Sequence, residues 1–288
     1  MNGYDFGINY TAGLHVLMGL DPYTVPFYRY PLPFAYMMAV LAILPLPAAF
    51  VLVGVINIGI LIYCFRRGFW LWLLYFPVLH ELSAGQNEIF WWFLERKMGR
   101  HWRGALFGAL ITLKPQTALI LLPWHLLDWL RYDRKTLAQW LGFTGLLWGL
   151  PLLWRPDWIG VWLSGRSGDA NWIFSASNTT GLFSLLKLSE TLLPLLAIAA
   201  GIVYLAGQFQ PSKEIAKACA LLGSPLGLLY TQMTVMGTAP AWLLVPINLA
   251  AVALSLAVGN FVICMAVPVA VIRWQLHRRR QLAVPDKI

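Results

Sequence analysis

Long apolar runs separated by short basic clusters are the feature that most constrains how this chain can fold. The runs recur from Pro33 to Ile272, and hydrophobic residues make up 59% of the sequence while charged residues make up only 11%. A water-soluble domain of 288 residues needs far more charge to cover its surface. The pattern instead predicts an all-α polytopic membrane protein, integral to the membrane and in contact with its lipids.

The sequence argues against a nucleic-acid-binding protein and against a metal or cofactor protein. The net charge of +9 could suggest a nucleic-acid partner, but the bases lie in clusters between apolar runs, as they do in cytoplasmic loops. We therefore expect no nucleic-acid partner. The three cysteines fall inside apolar runs without metal-ligand spacing, and no His-x-x-x-His pair occurs, so we expect no metal and no cofactor.

Placing every basic cluster in the cytoplasm predicts a topology for the chain. It consists of one membrane domain over residues 1–288, with an external loop at 1–32, a helical core at 33–135, C-terminal spans at 136–272 that include an external loop at 155–187, and a basic tail at 273–288. From Ala218 to Ile272 the length suits three crossings, but a cytoplasmic tail requires an even number. One of these stretches should therefore be interfacial or re-entrant.

The helical core should contain two short hairpins that do not cross the membrane. Their predicted arms are too short for a full span, which needs about 20 residues, so their tips should lie in a cavity rather than in lipid. The core is predicted to contain a short helix at 33–44, a span at 47–65, hairpin arms at 69–79 and 89–94 around a tip at 80–88, and hairpin arms at 104–113 and 117–130 around a tip at 114–116. Spans at 136–154 and 189–207 follow the core.

Lys114 is the most informative single residue, because it interrupts the apolar stretch GALFGALITLKPQTALILLP. A charge in such a place costs about 2.5–3.5 kcal/mol on insertion scales. One interpretation is a snorkelling lysine at a loop tip, and the other is a point charge that binds an anion such as a lipid phosphate. Asp5 is ambiguous by itself, since an acid in an external loop is usually solvated. The tip Gly85-Gln86-Asn87 could hold sugar hydroxyls or simply cap a helix.

Read in order, several segments resemble glycosyltransferase family 87, within the GT-C class of membrane glycosyltransferases. The resemblance covers most of the chain and is strongest over residues 4–123. The segments are YDFGINYTAG (4–13), GLDPYTVPFYRYPLPFAYMMAVLAILPLP (19–47), LHELSAGQNEIF (79–90), GALFGALITLKPQTALILLP (104–123), NTTGLFSLL (178–186) and GSPLGLLYTQ (223–232).

The resemblance implies a GT-C-like helical bundle with short hairpin helices and an external catalytic loop. Such enzymes take a sugar, typically mannose, from a polyprenyl-phosphate donor and attach it to a lipid or glycan acceptor on the non-cytoplasmic side. Asp5 takes the position of the general base. The residues expected to bind substrate are Tyr4, Asn9, Tyr10, Gln86, Asn87, Lys114, Gln116 and Tyr230. The style of the motifs suggests a bacterial inner membrane.

This chain also departs from the family pattern. Members begin with a membrane helix before the catalytic Asp, so we expect Met1 to be an internal methionine, a misassigned start or the edge of a fragment. That departure leaves a second interpretation open, in which the chain is a non-catalytic accessory or structural membrane subunit derived from the family. A transporter is less favoured, because the sequence has no repeated halves with matching interrupted helices.

Overall fold

The structure is a computed structural model that describes residues 4–165, 181–187, 191, 193–224 and 229–283. Within these residues every regular element is helical, which confirms the all-α prediction. The α-helices of the first half are α1 (Tyr4–Leu17), α2 (Leu32–Ala42), α3 (Leu46–Phe65), α4 (Phe69–Leu73), α5 (Phe76–Ala84), α6 (Glu88–Arg96), α7 (Trp102–Ile111), α8 (Pro115–Leu121) and α9 (Pro123–Tyr132).

The second half continues with longer helices and more 3₁₀ turns. Its α-helices are α10 (Arg134–Gly149), α11 (Trp158–Gly165), α12 (Leu193–Gln208), α13 (Lys213–Gly223), α14 (Ala241–Val258) and α15 (Ala266–Ala283). Short 3₁₀ helices form at Pro22–Thr24, Arg66–Gly68, Leu150–Leu153, Leu182–Lys187, Leu229–Val235 and Phe261–Met265.

Four of the described helical segments are long and apolar enough to cross a membrane. They are Leu46–Leu73, Arg134–Leu153, Ala241–Val258 and Phe261–Leu282. In the first of them Val51 and Val55 are about 60% exposed. Since a span keeps apolar side chains on its lipid-facing surface, this exposure agrees with a multi-span helical membrane protein.

One predicted span is shorter than expected. The return over 189–207 corresponds to α12, whose 16 residues fall short of a full crossing, and residues 188–190 and 192 lie outside the described ranges. In the C-terminal third, α13 has only 11 residues, whereas the two segments that follow it are both candidate spans. Two crossings agree with the even number that the basic tail requires.

Three segments that the predicted topology places outside the spans contain helical residues where they are described. The predicted loop at 1–32 contains α1, the predicted loop at 155–187 contains α11, and the basic tail continues α15 as far as Ala283. Residues 166–180 of the second loop lie outside the described residues. A polar segment can form such a short helix because the helix needs only one buried face, and the external position of the two loops stays a prediction.

The buried face of helix α1 is formed by only a few residues. Phe6, Asn9 and Gly13 recur at helical spacing and are all buried. A Cβ atom on Gly13 would lie 2.5 Å from the backbone carbon of Met38 in α2. Glycine at this position therefore allows α1 and α2 to pack backbone against backbone.

The hairpin turns are tighter than predicted. The first tip was expected over 80–88, but α5 continues to Ala84 and α6 begins at Glu88, which leaves only residues 85–87 as the turn. Gly85 has a φ of +69°, and the backbone amides of Gly85 and Gln86 both donate to the carbonyl of Glu81. This pair of hydrogen bonds caps the C-terminal end of α5. The second tip was expected over 114–116, but Pro115 is the first residue of α8, where its fixed φ favours a helix start.

The chain divides into two compact units. The first comprises Met1–Phe69, Leu79–Ala118 and Leu126–Ala170, and the second comprises Trp70–Val78, Leu119–His125 and Asn171–Ile288. The core of the first unit contains the fully buried rings of Trp91, Trp92, Trp129 and Trp158. The prediction of a single membrane domain over 1–288 stays a prediction.

The second unit is stabilised by a buried polar network around Asn248. Its side-chain oxygen accepts a hydrogen bond from the backbone amide of Phe76 at 3.0 Å, and its nitrogen donates to Gln232 at 2.9 Å. The Gln232 amide donates in turn to the carbonyl of Cys264, and Tyr75 donates to the carbonyl of Gln232. Asn248, Gln232 and Tyr75 are fully buried, so each of these bonds replaces one with water.

Candidate functional site

The candidate site lies in the first unit and begins with Asp5. This half-buried residue stands in the first turn of α1, where the helix dipole favours a carboxylate. The side-chain nitrogen Nε2 of Gln86 donates a hydrogen bond of 2.6 Å to Oδ2 of Asp5. The two residues are 81 positions apart in the chain, so only the fold brings them together.

Gly85 makes this contact geometrically feasible. Its positive φ is one that residues with a side chain rarely adopt. A Cβ atom at this position would lie 2.5 Å from Cβ of Phe6 and 2.8 Å from the ring of Phe50. The positive φ and the close approach of Phe6 and Phe50 both require glycine at this position. Glycine therefore allows the turn at 85–87 to pack directly against α1 beside Asp5.

Lys114 controls the orientation of the Gln86 amide. Its ammonium group donates to Oε1 of Gln86 at 3.2 Å and to Oδ1 of Asn87 at 2.9 Å. An ammonium can only donate, so it must face the oxygen of the Gln86 amide, and the nitrogen is then directed to Asp5. The result is a hydrogen-bonded relay from Lys114 through Gln86 to Asp5.

The positive charge of Lys114 is balanced by a buried ion pair with Glu88. Nζ of Lys114 lies 2.6 Å from Oε1 of Glu88, and both side chains are 0% exposed. The hydroxyl of Thr117 donates to both oxygens of Glu88, at 2.9 and 2.8 Å. Burial opposes the charge on Lys114, but the combined effect of the surrounding acidic groups, to which Glu88 contributes most, outweighs it, so the pKa of Lys114 is raised and the side chain stays protonated.

A second buried carboxyl group, Glu81, adjoins the pair. Its Oε1 atom accepts from the backbone amide of Ile89 at 3.0 Å and from the Asn57 amide at 3.5 Å, whereas its buried Oε2 atom has no hydrogen-bond partner among the described residues. Burial raises the pKa of Glu81 to about 8, although Lys114 opposes the shift. Glu81 is therefore largely protonated at neutral pH and adds no charge to the cluster.

Tyr30 and Gln116 form one side of the cluster. The amide nitrogen of Gln116 donates to the hydroxyl of Tyr30 at 3.2 Å, and the ammonium of Lys114 lies 5.9 Å from the centre of the Tyr30 ring. The side-chain oxygen of Gln116 is buried and has no hydrogen-bond partner within the described ranges. An orphan acceptor of this kind is what a ligand hydroxyl could satisfy.

Two further atoms of the cluster remain able to contact a ligand. Oδ1 of Asp5 has no hydrogen-bond partner among the described residues, because only Oδ2 is bonded. The oxygen of Asn87 accepts from both Lys114 and Trp91, which leaves its amide nitrogen unbonded among the same residues. The cluster thus offers one carboxylate acceptor and one amide donor from neighbouring elements. Across the described residues no group of His, Cys, Asp or Glu is arranged to hold a metal ion.

The comparisons with known proteins leave the identity of the chain open. No family model, no curated protein and no solved structure matches it. The chemistry must therefore be argued from the site.

The structure brings five of the predicted site residues together. They are Asp5, Gln86, Asn87, Lys114 and Gln116. The side chain of Tyr230 lies outside the described residues. Gln232, from the same polar group, is fully buried in the network around Asn248.

The three remaining predicted residues are on α1 and have other surroundings. The hydroxyl of Tyr10 donates to the carbonyl of Leu44 at 2.8 Å. Asn9 is buried on the same face of α1 as Phe6, and Tyr4 is 59% exposed with its ring near that of Phe27. Their predicted role in substrate binding stays a prediction.

Sequence reasoning did not assign a role to four residues of the cluster: Tyr30, Glu81, Glu88 and Thr117. The acids lie in the segment LHELSAGQNEIF, so their charge in an apolar context was visible. Their pairing was not, because it depends on how α5, α6 and α8 pack. A useful signal would have been the need of Lys114 for a buried counter-ion.

Proposed function

We propose that this chain is a membrane glycosyltransferase that moves a sugar from a polyprenyl-phosphate donor to a hydroxyl group of a lipid or glycan acceptor, and that the sugar is mannose. In this proposal the fold is GT-C-like and the reaction takes place on the non-cytoplasmic side of a bacterial inner membrane. The observation that carries the proposal is the Lys114–Gln86–Asp5 relay, which orients one carboxylate and leaves Oδ1 unbonded. Its setting in a helical protein with four candidate spans supports a lipid-linked substrate.

In the proposed reaction this oxygen acts as the general base. Oδ1 of Asp5 takes the proton of the acceptor hydroxyl while the acceptor oxygen attacks the anomeric carbon of the sugar. The bond from that carbon to the phosphate oxygen breaks, and the electron pair leaves with polyprenyl phosphate. A positioned general base of this kind contributes about 10²- to 10⁴-fold to the rate. The unbonded amide of Asn87 would orient a sugar hydroxyl or the phosphate.

The surroundings of Lys114 suggest a role different from the predicted contact with a lipid phosphate. The side chain is fully buried, and its ammonium already contacts Gln86, Asn87 and Glu88. Reaching a phosphate would break one of these contacts, and the charge is already balanced by Glu88. We therefore assign Lys114 a positioning role in the proposed reaction, in which it holds Gln86 and Asn87.

The test is sugar transfer in proteoliposomes that contain the full chain. A labelled polyprenyl-phosphate mannose serves as the donor and a bacterial lipid extract as the acceptor, and release of polyprenyl phosphate is measured alongside sugar transfer. Asp5→Asn should lower the rate by about 10²- to 10⁴-fold while leaving the unfolding temperature nearly unchanged. Asp157→Asn, which changes a 64% exposed carboxylate elsewhere in the same unit, is the matched control and should keep full activity.

A second candidate function is a non-catalytic accessory membrane subunit, and the enclosure of the Lys114–Glu88 pair favours it. A pair with its contacts satisfied inside the protein can serve stability alone. The same variants separate the two functions. If the wild-type chain releases no polyprenyl phosphate and Asp5→Asn lowers the unfolding temperature, Asp5 is structural and the enzyme proposal fails.

A further inference from the structure

A basic pocket lies beside the C-terminal end of α3, away from the residues of the candidate site. It is a cavity of about 330 Å³ lined by Tyr63, Cys64, Arg66, Arg96 and Lys97. Its volume falls within the range of small-ligand sites. All five residues belong to the first unit of the chain.

The three bases of the pocket have no acidic partner in the part of the chain that the structure describes. Among the described residues no ion pair involves Arg66, Arg96 or Lys97. This contrasts with the nearby base Arg100, which pairs with Asp128 at 2.7 Å. Three like charges around one cavity repel each other, and a bound anion would relieve that repulsion.

Aromatic rings hold two of the bases at the cavity without neutralising them. The guanidinium of Arg96 lies 5.1 Å from the centre of the Trp92 ring. The ammonium of Lys97 lies 4.6 Å from the centre of the Tyr63 ring and donates a hydrogen bond of 2.9 Å to the Tyr63 hydroxyl. Cation–π contacts orient a cation and keep its full charge available to an anion.

The backbone at the third base is unusual. Arg66 has a φ of 49° and a ψ of −125°, a conformation that residues with a side chain rarely adopt. Such conformations persist where the surrounding structure holds them, and they concentrate at ligand sites and clamps. At the pocket this backbone turns the chain at the end of α3 and places Arg66 beside Arg96 and Lys97.

We propose that the basic pocket binds a phosphate group, either that of an anionic lipid headgroup or that of a soluble phosphate ester. The apolar body of α3 belongs to a candidate span, and excess basic residues mark the cytoplasmic side of such spans. Basic pockets between helices at that surface match the headgroups of anionic lipids. This inference is independent of the proposed transfer reaction, since it uses no residue of the candidate site.

The test measures equilibrium binding of a fluorescent phosphatidylglycerol to the full chain in uncharged detergent micelles, with phosphatidylcholine as the reference lipid. Replacing Arg66, Arg96 and Lys97 together by Gln should weaken phosphatidylglycerol binding on the order of 100-fold, because each base contributes about fivefold. Inorganic phosphate and glycerol 3-phosphate are added as competitors. Competition assigns the pocket to soluble phosphates as well, and failure to compete assigns it to the lipid headgroup.

The matched control removes the same three charges from another basic cluster. Replacing Arg278, Arg279 and Arg280 by Gln should change the affinity by less than about fivefold. Arg66→Gln alone should lower the affinity for phosphatidylglycerol about fivefold. This single variant tests the proposal if the triple variant does not fold. Equal losses in the two triple variants would overturn the proposal, since net charge alone would then explain the data. Unchanged binding in the pocket variants would overturn it as well, since the pocket bases would then not contact the lipid.

Discussion

Removing Lys114 tests whether the buried ion pair holds the candidate site together. Lys114→Met leaves the carboxylate of Glu88 fully buried without its cation, and an uncompensated buried charge costs about 3–5 kcal/mol. The variant also leaves the oxygen of Gln86 without its donor, although the oxygen of Asn87 keeps the hydrogen bond from Trp91, so we expect the upper end of that range. The free energy of unfolding is measured in detergent micelles by tryptophan fluorescence.

The structure supplies a matched control for this measurement. The pair of Arg100 and Asp128 is equally short, at 2.7 Å, but the Arg100 side chain is 50% exposed. Arg100→Met should therefore cost only about 0.2–1 kcal/mol. The contrast compares a fully buried pair with a partly exposed one, in which two hydrogen bonds of 2.9 and 2.7 Å join the guanidinium to the carboxylate.

A double substitution separates the pair from its surroundings. Combining Lys114→Met with Glu88→Gln removes both charges and keeps an acceptor for the hydroxyl of Thr117. The double variant should be more stable than Lys114→Met by about 2 kcal/mol, since no buried charge remains. The reasoning is refuted if Lys114→Met costs no more than Arg100→Met, or if the two substitutions are simply additive.

Three further predictions concern other parts of the chain. Gly85→Ala should lower the free energy of unfolding by about 2–4 kcal/mol, because its Cβ atom meets α1 and its φ is positive, whereas Gly54→Ala, which meets no neighbour, should be neutral or slightly stabilising. Burial opposes ionisation of Asp21, but Arg155 and a backbone amide outweigh it and lower the pKa of Asp21. The stability that this pair contributes is thus complete above the ordinary pKa of an Asp side chain and is lost as the pH falls through the lowered pKa of Asp21. When the free energy of unfolding is measured from pH 7 to pH 3, Arg155→Gln should therefore reduce its change with pH by up to about 1 kcal/mol. Asn248→Leu should cost about 2–4 kcal/mol, measured by denaturation at pH 7, because the buried side chain of Gln232 and the half-buried backbone amide of Phe76 lose their hydrogen bonds to it.

The helical elements were largely predictable from local sequence. The apolar run at 47–65 became α3, and the run at 33–44 became α2, each with its end within two residues of the expected one. Prolines at the starts of these runs favour helix initiation. The helix at 4–17 was not predicted, because it is stabilised by a narrow face that packs on α2 rather than by its overall hydrophobicity.

The candidate site was only partly predictable. Lys114 stood out because a charge in an apolar run is costly, and the turn at 85–87 stood out because Gly-Gln-Asn interrupts two apolar arms. Their connection did not follow from either signal. It requires the Gln86 amide to lie between Lys114 and Asp5, which the sequence separates from it by 28 and 81 positions.

The sequence by itself determined the class of this protein, since the free energy of placing apolar and charged residues in water or lipid sums along the chain. It therefore indicated helices, candidate spans and the isolated cost of Lys114. Only the tertiary structure decided that Glu88 neutralises Lys114 and that Gln86 links it to Asp5. The physical reason is that electrostatic and hydrogen-bond energies depend on distance in space, and packing of α1 against the turn at 85–87 sets those distances.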